Sequence, residues 1–513
     1  MVAKQAHPVP TASGRARTWL AIVLVLGIGS GTAAAAPAEV PPANVPSIEW
    51  TPCGEGKDCA TVEAPLDYAV PEGQTVSLHL TRRRATDPAR RIGVLFVNPG
   101  GPGGGTSSWP DKVVERDVTG ATGARFDIIG IDPRGVEKSR PGIRCLSADG
   151  YAAQWAQATA TPSDGQFPRA VSQAKDFNSA CAGNTGALLP HLGTANVARD
   201  MDFVRAALGE EKVSYLGLSY GTYIGTVYAN LFPDRVRAVA LDGGYDPHRF
   251  TSDPYPNDMV QYQAVEESLN RFLDWCASDV DKCGFGRGKP AEAFRAVQAD
   301  LDANPLRNPA GGLIANGATM TFAVVSALNS GGPGWVQLGR SLARAQARDA
   351  GSDLLAPISE EDTNFYAANV AVECNDRIFP GSVDDAEAEL AKEAEAGPLL
   401  GNTVAYGPPN YDHGHALACL QWPAERDSRY PGPYDVRTET PILVVGTTHD
   451  PDTPYQDSVE LAKTLGNARL LTFDGDGHTG YGGSECARAA EYRYLLELKL
   501  PETDVCKDNP PPA

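Results

Sequence analysis

Positive charge is scarce in this sequence: 44 lysines and arginines stand against 64 aspartates and glutamates, a formal net charge of −20 over 513 residues. Phosphate binding needs a basic face, so the charge balance disfavours a nucleic-acid partner. An acidic surface attracts cationic ligands such as a free peptide amine, although its more general effect is solubility. Long apolar runs are also missing. Trp19–Ile28 is a short one, too brief and too closely followed by alanines and prolines to make a good membrane span. No C-x-x-C pair occurs, and His413-x-His415 is the one hint of metal ligation, so neither metal nor organic cofactor is expected. G-K-[ST] and G-x-G-x-x-G are absent, which argues against a phosphate-cradling loop. There is no internal repeat.

What is present at the start reads as an export signal. Lys4, Arg15 and Arg17 precede the apolar core, and Ala33–Ala38 offers A-x-A cleavage sites. Residues 1–36 are taken as the signal, with cleavage near Ala36 or Ala38. The rival is an uncleaved anchor. No cysteine lies near the cut and Arg15-Ala-Arg17 is not a twin arginine, so the expected product is a secreted chain without stable membrane association. All ten cysteines follow the signal, and an even count in an exported chain suggests disulfides. Proximity in sequence favours Cys53–Cys59, Cys145–Cys181, Cys276–Cys283, Cys374–Cys419 and Cys486–Cys506.

Short apolar runs ending in turn residues look like buried parallel strands: 92–97, 126–131, 213–218, 236–241, 442–445 and 470–473. Helical patterns alternate with them, as at 195–208 and 222–231. The result is an α/β fold with a mostly parallel sheet. The alternation stops after Asp242-Gly-Gly and resumes near Thr440. Between them Val265, Leu269, Phe272, Leu273 and Cys276 share one helical face, and 291–301 and 336–347 are amphipathic. The expected organisation is core 37–246, a mainly helical cap 247–431, with 306–317 as a loop inside it, and core again at 432–513.

Gly217-Leu-Ser219-Tyr-Gly221 is a G-x-S-x-G motif. In a chain with 53 glycines the motif alone is weak. Its context is not: 213–218 reads as strand and 220 onward as helix, the strand–turn–helix setting of a nucleophile elbow. A serine nucleophile needs a base, and the base an orienting carboxylate, in the chain order Ser, Asp or Glu, His. Asp450 follows the strand at 440–446 and His478 follows the strand at 468–473, so Ser219, Asp450 and His478 form the expected triad. Asp452, Asp474, Asp476 and His449 are its rivals by proximity. Acyl chemistry further needs oxyanion donors. One should be the Tyr220 amide. The other should come from Asn98-Pro-Gly-Gly-Pro-Gly-Gly-Gly105, through Gly100 or Gly101.

Asn98-Pro-Gly-Gly-Pro-Gly103, Asp132-Pro-Arg-Gly135 with Ser139, Tyr215-Leu-Gly-Leu-Ser-Tyr-Gly-Thr222, Thr448-His-Asp-Pro-Asp-Thr-Pro-Tyr455 and Gly477-His-Thr479 together resemble the tripeptidyl-aminopeptidase-like and prolyl-iminopeptidase-like branch of the α/β-hydrolase serine peptidases. The match runs from about Trp50 to Cys506. Asn98 stands where the iminopeptidases carry histidine, which favours the tripeptidyl-aminopeptidase side. The resemblance implies a monomeric, secreted exopeptidase acting on peptides with a free N-terminus and releasing tripeptides or other short units. It further implies that Glu373-Cys-Asn-Asp376 resembles this branch's C-x-D segment, with Asp376 and Glu373 receiving the substrate amine. Capping or ion pairing within the cap is the alternative for Asp376. Competing functions are an esterase, lipase or acyltransferase of the same fold and an inactive binding protein.

Overall fold

Uncharged aliphatic runs such as Val94–Val97 have no polar face, so both of their sides must be covered, the situation of a central parallel strand. In the computed structural model, which describes residues 47–349, 352–355, 359–360, 362–411, 414–510 and 512, Val94 and Phe96 join one hydrophobic cluster and Leu95 and Val97 another, on the opposite face. The signal read at 1–36 and His413 lie outside the described residues.

The strands are β1 (Thr51–Gly54), β2 (Lys57–Pro65), β3 (Thr75–Arg83), β4 (Gly93–Asn98), β5 (Phe126–Ile131), β6 (Val213–Leu218), β7 (Val236–Asp242), β8 (Leu306–Arg307), β9 (Leu313–Ala315), β10 (Ile442–His449), β11 (Ala468–Asp476) and β12 (Val505–Cys506). All but β8 and β9 form a ten-stranded sheet in the order β1-β2-β3-β5-β4-β6-β7-β10-β11-β12. From β5 to β12 the pairings are parallel, while β1, β2 and β3 add an antiparallel edge. This is the α/β-hydrolase architecture. Sequence reading did not single out that edge. Its signal is the period-2 burial of Val76, Leu78 and Leu80 in β3. The strand order reverses direction between β4 and β6, and ligand crevices open at the carboxyl ends of strands at such a point.

Helix α1 (Thr194–Ala207) leads into β6, and α2 (Tyr220–Leu231) leaves it. Between β7 and β10 the chain is mainly helical, including α3 (Pro254–Ser278), α4 (Gly317–Leu328) and α5 (Asp362–Asp376). Leu269, Phe272 and Cys276 of α3 pack with Phe294, Leu301, Val324 and Leu328 in a core of their own. Residues 306–317, expected as loop, instead hold the antiparallel pair β8–β9. Asn308 makes the turn by accepting from the Ala310 and Gly312 amides.

All ten cysteines are paired, in the five pairings favoured by proximity. Cys374–Cys419 ties α5 to the helix His415–Leu420 across 45 residues of chain. A loop of that length is worth about 4 kcal/mol by the chain-entropy relation. Replacing both cysteines with serine should lower the denaturant midpoint and steepen the slope, because the freed unfolded chain exposes more surface, as read by equilibrium unfolding.

Candidate active site

The two glycines around Ser219 do more than ease a turn. A Cβ on Gly217 would collide with the Gly221 carbonyl, and one on Gly221 would lie 2.7 Å from the Asn98 carbonyl. Both positions are closed to any side chain. Between them Ser219 takes φ 56° and ψ −130°, a strained region for a residue with a Cβ. It occupies the N-cap position of α2 yet makes no capping bond with its side chain. Its amide donates to Asp242 O at 2.8 Å and its carbonyl accepts from Thr222 Oγ1 at 2.7 Å, which holds the strain in place.

Gly100 sits directly over this turn. A Cβ there would come within 2.5 Å of Leu218 O and 2.8 Å of the Ser219 Cβ, and its φ is 96°. Its amide is already given to Asn98 Oδ1 at 2.9 Å. Among the described residues no acceptor is recorded for the amides of Gly101 and Tyr220, so the pair left for an oxyanion is Gly101 and Tyr220 rather than Gly100. Asp132 anchors the loop's far end, accepting from the Thr106 amide at 2.7 Å and from Thr106 and Ser107 hydroxyls.

The His478 ring is held from the opposite strand ends. Its Nδ1 lies 2.9 and 3.1 Å from the two oxygens of Asp450, which also accept from the amides of Asp452, Thr453 and Thr479. Asp450 therefore occupies the orienting position. Asp452 lies on the other side, 3.5 Å from Nε2. Asp476 is bound by Arg271 of α3, and His449 by Glu267, so neither rival holds the ring. Asp242, whose carbonyl binds the Ser219 amide, also accepts from the Gly480 and Tyr481 amides just beyond His478. A Cβ on the next residue, Gly243, would be 3.4 Å from His478 Cε1. The imidazole thus stands against the end of β7, the strand whose Asp242 carbonyl holds the Ser219 amide. The cap completes the frame: the His478 amide donates to Asn329 O, just after α4.

Burial alone would lower the His478 pKa, but the charges of Asp450 and Asp452 and the Asp450 hydrogen bond outweigh it and raise it to about 9. Burial pushes Asp242 up to about 7 against the amides that hold it.

Glu373 and Asp376 are both engaged by partners within the protein. Glu373 is 3% exposed and already meets Arg377 Nη1 at 2.5 Å and His415 Nδ1 at 2.9 Å. Burial would raise its pKa, but those two partners hold it down to about 2. Asp376 is fully buried, accepts from the Thr194 amide at 3.0 Å and its hydroxyl at 2.5 Å, and is pushed up to about 7 by burial. It caps α1, and Thr194 in turn contacts the Tyr220 hydroxyl. The expectation that these two carboxylates receive an amine gives way to the structural alternative, because their oxygens are spent inside the fold. His415 faces acceptors at both nitrogens, Glu373 on one side and Asn369 Oδ1 and Asn410 O on the other. Asn369 then donates to Pro102 O in the glycine loop. Cap and oxyanion loop are joined through this line.

Comparison with known proteins follows the same outline. The family model described as alpha/beta hydrolase fold matches residues 93–309, and that described as TAP-like protein matches 409–506. Serine protease Hip1 of Mycobacterium tuberculosis (strain ATCC 25618 / H37Rv) is 33% identical over 485 residues, 88% of this chain and 88% of that protein. Tripeptidyl aminopeptidase of Streptomyces lividans is 30% identical over 480 residues, 89% of this chain and 86% of that protein. Carboxylesterase B of the same Mycobacterium tuberculosis strain is 32% identical over 490 residues, 90% of each chain.

Two outcomes are expected. A base must have Nε2 unprotonated, so with His478 raised to about 9 the kcat/KM for a neutral ester should climb as pH rises toward that value and fall below it. A flat profile between pH 6 and 9 would contradict the placement of both carboxylates. Glu373→Ala should leave Arg377 and His415 buried without their shared carboxylate, costing about 3–5 kcal/mol of stability, measurable as loss of denaturant resistance.

Proposed function

Because the chain belongs to the TAP-like family of α/β-hydrolase serine peptidases, we propose that it releases tripeptides or other short units from the free N-termini of peptides by a Ser-His-Asp acyl-enzyme route. The observations that support this reading are the strained, uncapped Ser219 at the end of a central strand and, at the ends of neighbouring strands, an imidazole whose Nδ1 is held by Asp450.

In the proposed reaction His478 Nε2 takes the Ser219 hydroxyl proton while Oγ attacks the scissile carbonyl carbon. The Gly101 and Tyr220 amides receive the oxyanion, each worth roughly 3–4 kcal/mol of barrier. As the tetrahedral intermediate collapses, the C–N bond breaks and Nε2 returns its proton to the leaving amine. Water, deprotonated by the same nitrogen, then attacks the acyl-enzyme and releases the N-terminal unit. Asp450 orients the ring and supports the imidazolium. The chemistry needs no metal or organic cofactor. The helical cap across the site confines entry to chain ends, which favours an exopeptidase acting as a monomer. Five disulfides fit export to an oxidising compartment.

A second reading, ester hydrolysis, is favoured by the similarity to a protein named Carboxylesterase B, since the same triad cleaves esters. The two separate in one assay. A chromogenic amide with a free N-terminal amine, aminoacyl or tripeptidyl, should be cleaved with higher kcat/KM than its N-acetylated form, and preference for the acetylated amides or for a short-chain ester alone would refute the aminopeptidase reading. A fluorophosphonate probe should label the protein but not Ser219→Ala. Failure to label either would mean a catalytically silent fold.

A further inference from the structure

Acyl transfer as described leaves one carboxylate beside the reacting centre without a task. Asp452 is 6% exposed. Its Oδ1 accepts from Gln261 Nε2 at 2.9 Å and its Oδ2 from the Tyr411 hydroxyl at 2.9 Å, with His478 Nε2 at 3.5 Å. Among the described residues no lysine or arginine pairs with it, whereas Glu373 has Arg377 and Asp476 has Arg271. A buried carboxylate with two neutral donors that shares one imidazole with Asp450 has less than a full counter-charge.

Asp452 also opens onto a cavity. Gln261, Tyr262, Val265, Val325, Val404 and Tyr411 line it with Asp452, and the walls are mainly apolar. A continuous set of contacts joins this cavity to the oxyanion loop. The Phe365 ring is 3.4 Å from where a Gly101 Cβ would stand, Tyr411 stacks on Phe365 at 5.0 Å, and the Tyr411 hydroxyl reaches Asp452. One charged oxygen in an apolar pocket between an oxyanion donor and the catalytic imidazole suits a small cation.

We propose that Asp452 receives the substrate's α-ammonium group, and that this ammonium belongs to the residue whose carbonyl is attacked. The inference rests on the peptidase reading above and narrows the released unit to a single residue. In the reacting complex both His478 Nε2 and the scissile carbonyl are within reach of Ser219 Oγ, so a carboxylate 3.5 Å from Nε2 is near the amine two bonds from that carbonyl. The ammonium of a tripeptide lies two residues further, about 7 Å away along an extended chain. A bound ammonium supplies the missing counter-charge and draws Asp452 off Nε2, leaving that nitrogen to Ser219. An N-acetyl group does neither.

The test compares kcat/KM for alanine p-nitroanilide, its N-acetyl derivative and a tripeptidyl p-nitroanilide in wild type and Asp452→Asn. Wild type should favour the free aminoacyl amide over its acetylated form by at least about tenfold and should cleave it no worse than the tripeptide. In Asp452→Asn the free-to-acetyl ratio should fall towards one. An unchanged ratio in the variant overturns the inference while the peptidase reading stands; a wild type with no preference for a free amine overturns both. A wild type that strongly prefers the tripeptide also overturns it. Should Asp452→Asn fail to fold, wild-type ester hydrolysis decides: n-propylammonium should inhibit competitively where n-propanol at equal concentration does not, and equal inhibition refutes the site.

Discussion

Ser219 holds φ 56° and ψ −130°, a conformation that costs on the order of 1–3 kcal/mol for a residue with a side chain. It survives because the surroundings over-determine it. Gly217, Gly221 and Gly100 allow three backbone segments to approach more closely than any Cβ permits, and Asp242 O and Thr222 Oγ1 fix the serine's own amide and carbonyl. That close approach brings the Gly100–Gly101 loop over the first amide of α2. Without the strained turn the serine would become an ordinary N-cap residue, its hydroxyl turned back onto the helix.

The cap is coupled to this turn at several independent points. Helix α3 presents Gln261 to Asp452, Glu267 to His449 and Arg271 to Asp476, and so touches both loops that carry the acid and the base. Asn329 takes the His478 amide. On the other side α5 reaches the glycine loop through Asn369 and the α1 N-terminus through Asp376. An insertion that is long in sequence thereby acts as part of the frame around the site. Its separate apolar core gives it stiffness of its own.

Carboxylates near the centre are distinguished by their partners. Asp450 is surrounded by amides and the Nδ1 of His478, Asp242 by the two amides beyond it, Asp376 by Thr194, and Glu373 by Arg377 and His415. Asp452 is the member of this group whose oxygens, among the described residues, meet cap side chains and the Nε2 side of the imidazole. Their assignments differ because hydrogen bonds and counter-charges, rather than residue type, decide which oxygens are free to act.

The sequence by itself carried the central strands and the strand–turn–helix at Ser219, because buried parallel strands are continuous apolar runs and the glycines needed by a tight turn are visible as glycines. It carried the disulfide pairings as well, since here nearness along the chain coincides with nearness in space. Tertiary structure alone decided that Gly100 spends its amide on Asn98, that Asp376 is spent on the start of α1 and Glu373 inside the cap, and that Asp452 stands on the Nε2 side of His478. Those facts depend on contacts between residues as far as 182 positions apart or on the direction of one side chain. Neither leaves a period or a composition to read in a linear chain.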